Sequence, residues 1–469
     1  MSRVLIWGGT VIDPLQGLEC LADVVCTDGI VTEILLMPSE PERNKRKQEA
    51  DLVIDASRKI VCPGFIDIHM HEDPYDQESD VIHQNISKCM VRMGVTTAVG
   101  GNCGSNNAAP DHYLDVVDRD GYATNLALMA GHTFLRNQCS SVGKYERIDD
   151  AAISAMELLG RRYLDAGCLG ISFGVKYIPG TRWEEIIALA RLCKKGDKVV
   201  TSHVRNDVDR VFDACAELAE IGREAGVKVQ FSHIGSMGGY GQMERLLAQI
   251  EGYRAEGIDL MCDCYPYDAF STEIGATTYD AENFAQYNSD YSHILLCDGP
   301  YAGQRCTKEI FDEMRATRPD TMTVGYFMRQ SDVDMALNAP YVMLGSDGIL
   351  VEDQGHPRAS GAFPRFLRQY AASGKMKLSD AIAKVTTLAA NRLQLEKKGS
   401  LKPGCDADIV VFDLNRVEDC ATYTEPILPP KGIDWVLIGG EVAVKEGQLI
   451  HDDLGCSVRV YSRGRSVKH

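Results

Sequence analysis

The chain has 469 residues, 49 of them basic and 67 acidic, for a net charge of −18. Such an acidic balance disfavours nucleic acid and anionic membrane as partners, because both are polyanions. Hydrophobic residues at 45% and charged residues at 25% are ordinary for a globular protein, and the length suits one large α/β domain with something smaller beside it.

The N-terminal stretch "MSRVLIWGGTVIDP" has too short an apolar run for a secretion signal and reads as a strand and a turn. No apolar run reaches about 18 residues, so no membrane span is expected. The 16 cysteines are scattered without a Cys-x-x-Cys pair, which suits reduced thiols in the cytoplasm better than a disulfide framework. Residues 1–60 read as short strands and turns, as in "RVLIWGGTVID" and "LVIDASRKIV". Residues 398–469 have the same character, as in "DADIVVFDL" and "DWVLIGGEVAVKEG". Neither flank is long enough to bury a core alone, so the two are predicted to join in one small β-sandwich domain.

Between the flanks, over 61–397, short apolar runs alternate with helix-like stretches. The runs are "GFIDIH" (64–69), "TTAVGGN" (96–102), "NLALMAG" (125–131) and "CLGISFG" (168–174). They continue with "KVVTSH" (198–203), "KVQFSH" (228–233), "IDLMCDCYPY" (258–267) and "YVMLGSD" (341–347). "AAISAMELLGRRYLDAG" and "DRVFDACAELAEIGREAG" show the helical period, the second closed by a glycine. Eight strand-like runs alternating with helices predict a parallel sheet, and eight is the number that closes a (β/α)₈ barrel. An open doubly wound sheet is the alternative, but no Gly-x-Gly-x-x-Gly follows the first run. Residues 270–340 are too long for a loop and carry helical patterns of their own, so they read as a subdomain inserted before the last strand.

Polar residues cluster where these runs end. His69 and His71 follow the first, Cys103 in "GGNCG" the second and His132 the third. His203 ends the fifth, His233 the sixth and Asp347 the eighth. In a barrel all strand C-termini open on one face, so these side chains would converge there. An isolated histidine at a strand end is more often a hydrogen-bonded structural residue, and a lone buried cysteine more often a small hydrophobe. A coincidence of this many strand ends is harder to explain that way. Imidazoles, a thiolate and a carboxylate form the donor set that zinc prefers.

On these residues the sequence resembles the amidohydrolase superfamily and, within it, the D-aminoacylase (N-acyl-D-amino-acid deacylase) branch. "PGFIDIHMH" is similar to the superfamily's first-strand signature. "GGNCG", "GISFGVKYIPG", "TSHVRND", "FSHIG", "DCYPYDA", "GSDG" and "HPRASGAFPR" resemble that branch's successive blocks, in order. "GSLKPGCDADIVVFD" resembles the usual return into the sandwich. The resemblance implies a centre of one or two zinc ions. His203, His233 and Cys103 would hold the tighter one, with Cys103 able to bridge toward a second held by His69 and His71. Asp347 would be the catalytic carboxylate. The implied reaction is hydrolysis of the amide bond of N-acyl-D-amino acids, releasing a carboxylic acid and a D-amino acid.

The implied substrate is a small molecule with a free carboxylate, held by Arg358 in "HPR" and Tyr265 in "CYPY". A guanidinium pairs with a carboxylate bidentately, and a phenol adds a directional donor. One departure stands after His233, where the branch carries a second histidine and then a carboxylate-binding lysine. Here the run is "HIGSMGGYGQ", with Ile234 and Gly235 in those places. Lys176 in "FGVKYIPG" is the candidate replacement cation. Two alternatives stand beside that: a carboxylated lysine bridging metals, as in hydantoinase-like relatives, and a solvated loop lysine. The glycines of "GSMGGYG" read as a substrate-facing loop. The competing functions are a cyclic-amide hydrolase of the hydantoinase or dihydropyrimidinase type and an unusual dipeptidase. Homo-oligomerisation is left open.

Overall fold

The structure, a computed structural model, describes residues 2–461. All eight predicted runs form strands, numbered here β1 to β8. They are Phe65–Asp67, Val95–Gly100, Asn125–Leu128, Gly170–Gly174, Val199–His203, Lys228–Phe231, Leu260–Cys264 and Val342–Leu344. Each of the pairs β1–β2, β2–β3, β4–β5, β5–β6, β6–β7 and β7–β8 is parallel. Ala130–Gly131, just past β3, pairs with β4. At the seam, Asp347 N–H donates to His69 O at 2.7 Å and His71 N–H to Gly348 O at 3.0 Å. Those two bonds and the parallel Met70–Gly348 bridge tie the end of the last strand to the end of the first.

Parallel strands covered on both faces read as continuous apolar runs, and β2 is buried at every position. Inside, Ile66, Val99, Ala127 and Met343 pack with Ala389 and Leu393 from the helix Thr387–Leu393. Outside, the first predicted helix forms over Asp150–Asp165 and buries Ile153, Met156, Tyr163 and Leu164. Asp149 caps it, accepting from Ala152 N–H at 2.8 Å. The second runs Val211–Ala225 and stops at Gly226, whose φ of 63° suits glycine.

The two flanks meet in one nine-stranded sheet. Its junction is antiparallel, Ile60–Pro63 against Ile409–Phe412. Asp13 clamps the halves, accepting from Ser400 Oγ and Leu401 N–H, each at 2.7 Å. The sheet strand Ile60–Pro63 runs past position 61, so the chain enters the barrel only at Gly64. Beyond the sheet the C-terminal stretch returns to the barrel rather than staying with the flank. Cys456 O accepts from Leu126 N–H at 2.9 Å, and Val460 O accepts from Lys198 Nζ at 2.5 Å. Positions 462–469 of the expected flank lie outside the described residues.

Between β7 and β8 the expected insertion holds a three-stranded antiparallel sheet of Phe270–Glu273, Met322–Gly325 and Ile294–Leu296. Phe270–Glu273 is an edge strand, and it bounds the mouth of the barrel.

Phe65 on β1 joins barrel to flank. Its ring stacks on Phe363 with centroids 5.7 Å apart and meets Phe412 of the flanking sheet edge-on at 6.2 Å. All three rings are fully buried. Phe65→Ala is expected to lower stability by about 3–5 kcal/mol, read as a lower urea midpoint at unchanged m-value. A loss below about 1 kcal/mol would show the seam to be held elsewhere.

Candidate metal centre

His69 and His71 leave the end of β1 two residues apart, the spacing that puts alternate side chains on one side. Asp67 Oδ1 accepts from His69 N–H at 3.1 Å and from Ser346 N–H at 2.9 Å, locking the ends of β1 and β8 together. Burial pushes the Asp67 carboxyl up to about 6 against the pull of those donors.

Cys103 lies in a tight turn after β2. Its Sγ is 3.5 Å from His69 Nε2, 3.8 Å from His203 Nδ1 and 3.3 Å from His233 Nε2. Asp347 Oδ1 stands 3.1 Å from His71 Nε2 and 3.4 Å from His69 Nε2. Two overlapping donor groups result: Cys103, His203 and His233, and His69, His71, Cys103 and Asp347. The sulfur belongs to both.

Three of these residues have left-handed backbones: Cys103 (φ 52°), His233 (φ 35°) and Asp347 (φ 51°). Non-glycine residues there cost roughly 1–3 kcal/mol each, and such strain collects at functional sites. The neighbours allow it at Cys103. Gly101 has φ 74°, and a Cβ there would lie 2.1 Å from Met129 O.

The donors are held from behind. Asp263 on β7 accepts from His233 N–H at 2.7 Å and from Gln230 Nε2 at 3.0 Å, and its Oδ1 lies 3.1 Å from His69 Nδ1. Ser236 Oγ lies 2.9 Å from His233 Nδ1. A carboxylate on the far nitrogen of a ligating imidazole fixes its tautomer and orientation.

Charges oppose one another across the group. Burial works against a thiolate at Cys103, but His233 and His69 hold its pKa well below the usual thiol value. Burial likewise opposes the Asp347 carboxylate, and Arg358 with His71 holds it ionised. His203 falls to about 4 through burial and the adjacent His233. An anionic sulfur and a neutral imidazole are the forms that bind metal. Tetrahedral zinc with ordinary bond lengths sets its donor atoms about 3.4–3.8 Å apart, which the 3.3–3.8 Å spread around Cys103 Sγ matches. His203 Nε2 is buried with no hydrogen-bond partner. The residues fit a zinc centre.

Arg358 opens the helix Arg358–Phe366. Its Nη1 is 2.9 Å from Asp347 Oδ2, and its guanidinium carbon lies 4.7 Å from the Tyr265 ring centre. Arg358 Nε and the Tyr265 hydroxyl are both buried without a hydrogen-bond partner.

Three expectations are placed differently by the structure. Lys176 is paired with Asp207 rather than standing free as a cation, and it lies outside both donor groups, although its charge reaches His203. Its Nζ is 2.5 Å from Asp207 Oδ2, with both side chains buried, and Lys176 lines a second cavity with Arg205 and Asp280. His132, though at a strand end, gives its Nε2 to Glu185 Oε1 at 2.6 Å and belongs to the helix layer. The "GSMGGYG" stretch, expected as a substrate-facing loop, starts as the buried helical turn Ile234–Gly238, whose Ser236 and Met237 line the space beside His203 and His233. A Cβ at Gly235 would come within 2.8 Å of Cys264 Sγ, which explains why no long side chain occupies that position.

Asp263, Ser236 and Tyr177 escaped the sequence reading. Asp263 had a signal: a lone carboxylate inside the apolar run "LMCDCY". The Tyr177 ring lies 4.4 Å from that of His203, and Tyr177 lines both spaces beside the donors.

The family model described as "Amidohydrolase family" matches residues 285–444. N-acyl-D-glutamate deacylase of Alcaligenes xylosoxydans xylosoxydans is 30% identical over 93% of this chain and 92% of its own length. D-aminoacylase of the same organism is 31% identical over 82% of this chain and 84% of its own. The chain belongs to the D-aminoacylase family of amidohydrolases. The crystal structure of N-acyl-D-glutamate deacylase from Bordetella bronchiseptica, complexed with zinc and a phosphonate inhibitor, superposes with a TM-score of 0.85 at 29% identity. It covers 97% of this chain and 99% of that one. A D-hydantoinase at 16% identity and TM-score 0.60 shares the fold alone with this D-aminoacylase family member. Among the described residues no helix is long and apolar enough to cross a membrane.

Asp263→Asn is expected to weaken zinc binding about 10- to 100-fold, measured by competition with a chromogenic chelator. Unchanged affinity would mean that Asp263 orients the backbone of His233 and nothing more.

Proposed function

We propose that the protein hydrolyses the amide bond of N-acyl-D-amino acids at a zinc centre, releasing a carboxylic acid and a free D-amino acid. The observation that carries this reading is the convergence of Cys103 with four imidazoles, beside an ionised Asp347 and a buried Arg358. Cys103, His203 and His233 would hold one ion, and His69 and His71 a second position sharing the sulfur. Bound there, zinc supplies a water acidified toward neutral pH and a Lewis acid for the amide carbonyl.

Asp347 takes the proton of the attacking water at its carboxylate and delivers it to the leaving nitrogen as the C–N bond breaks. Arg358 and His71 keep that carboxylate ionised and so able to accept the proton. Arg358 Nε and the Tyr265 hydroxyl, both without partners in the protein, are the donors that would receive the substrate's α-carboxylate. The D configuration is supported by the names of the relatives. The placement of Lys176 against Asp207, outside both donor groups, counts against the hydantoinase-type alternative. The 16 cysteines are all free thiols, which supports a reducing, cytoplasmic setting.

The test is a mass-spectrometric screen of zinc-loaded protein against pooled N-acetyl and N-formyl D-amino acids, their L-enantiomers and hydantoins. Free D-amino acids should appear. Asp347→Asn should lower the rate roughly 10²–10⁴-fold while zinc content measured by mass spectrometry stays at the wild-type level. Ring opening of hydantoins with untouched acyl amino acids would overturn the proposal.

A further inference from the structure

Beside the donor atoms lies a cavity of about 310 Å³, bounded on one side by His71, Asp347 and Arg358. Its other side holds Lys144 and Glu273, with the hydroxyls of Thr133 and Ser271 nearby. Lys144 comes from the loop after the helix His132–Cys139, and Glu273 ends the edge strand Phe270–Glu273 of the inserted sheet. The two therefore approach from unrelated parts of the chain.

Both charges are available to a ligand. Lys144 Nζ donates to Gly275 O at 3.3 Å, which uses one of its three donors. Among the described residues neither Lys144 nor Glu273 takes part in a salt bridge, with each other or with a third group. Glu273 is exposed at the edge of the cavity and Lys144 half-buried; partial burial and Asp320 push the Glu273 carboxyl up, while Lys144 and His71 pull it down. A cation and an anion that share a cavity without pairing leave one donor and one acceptor unused.

This arrangement discriminates among side chains. A hydrocarbon would cover both charges and satisfy neither. A carboxylate would suit Lys144 but stand against Glu273, and an ammonium would do the reverse. A primary carboxamide offers an oxygen to the one and an N–H to the other, with no net charge. Because Arg358 lines the same cavity, a substrate whose α-carboxylate lies on Arg358 can place its side chain in this space.

We propose, resting on the deacylase reading above, that the cavity is a side-chain pocket for N-acyl-D-amino acids ending in a carboxamide. Lys144 donates to the amide oxygen, and Glu273 accepts from the amide nitrogen. Both are specificity-determining residues, distinct from the groups that hold the α-carboxylate.

The experiment measures kcat/KM of the zinc-loaded protein for the N-acetyl derivatives of D-glutamine, D-asparagine, D-glutamate, D-lysine and D-leucine. One of the two amides should exceed the other three by at least about tenfold, as a site built to hydrogen-bond a substrate group rejects analogues lacking it. Lys144→Met should collapse the amide-to-leucine ratio, and Lys144→Arg should restore most of it. Glu273→Gln should raise glutamate relative to glutamine. D-leucine or D-glutamate turned over as well as the amides would overturn the pocket assignment while leaving deacylation intact. Hydrolysis of none of the five, as N-acetyl or as N-formyl derivatives, would overturn both readings together.

Discussion

The centre depends on one sulfur atom being buried among three imidazole nitrogens. A thiolate removed from water is costly unless positive or metallic charge compensates it. In this protein His69, His203 and His233, from three different strand ends, surround Cys103 at 3.3–3.8 Å. That arrangement can exist only if β1, β2, β5 and β6 end on the same face, which a parallel barrel guarantees. It also requires left-handed backbone at Cys103 and His233, so the turns after β2 and β6 bend the chain toward the axis. The surrounding hydrogen bonds, Asp263 to the His233 N–H and Asp67 to the ends of β1 and β8, hold that strained geometry.

Asp347 shows how neighbours set the chemistry of one carboxylate. It is buried at the edge of a cavity, and burial alone would favour the neutral acid. Arg358 and His71 reverse that preference. The same guanidinium lies over the Tyr265 ring and keeps its Nε without a partner. One arginine thus tunes the base on one side and faces a prospective ligand on the other. A lysine could not do both, since its single ammonium lacks the planar fork.

The insertion between β7 and β8 has a different role from the barrel. Its aromatic cluster includes Phe284 stacked on Tyr291 at 4.9 Å, and Phe270 and Tyr287 carry it up to the space beside His203 and His233. Its contribution to the site is an edge strand, whose Ser271, Thr272 and Glu273 bound the cavity. The barrel ends carry the clustered donors, and the insertion supplies part of the cavity wall. Changes in the wall can alter which side chain fits while the donors themselves, on other segments of the chain, are kept.

What the sequence by itself determined is local: eight apolar runs, the polar residues that end them, and the capped helices between. A strand end is encoded within a few residues, so His69, His71, Cys103, His203, His233 and Asp347 were legible as a group once the barrel was inferred. Their roles and the family came with the ordered motifs. Partner choice was decided only by the tertiary structure, because it joins residues far apart in the chain. Lys176 looked like a free cation until Asp207 stood beside it, and His132 looked like a ligand until Glu185 took its ring nitrogen. Asp263 and the unpaired Lys144 and Glu273 were invisible for the same reason. Whether a buried charge is satisfied depends on what the fold places within a few ångströms of it, and no spacing along the chain records that distance.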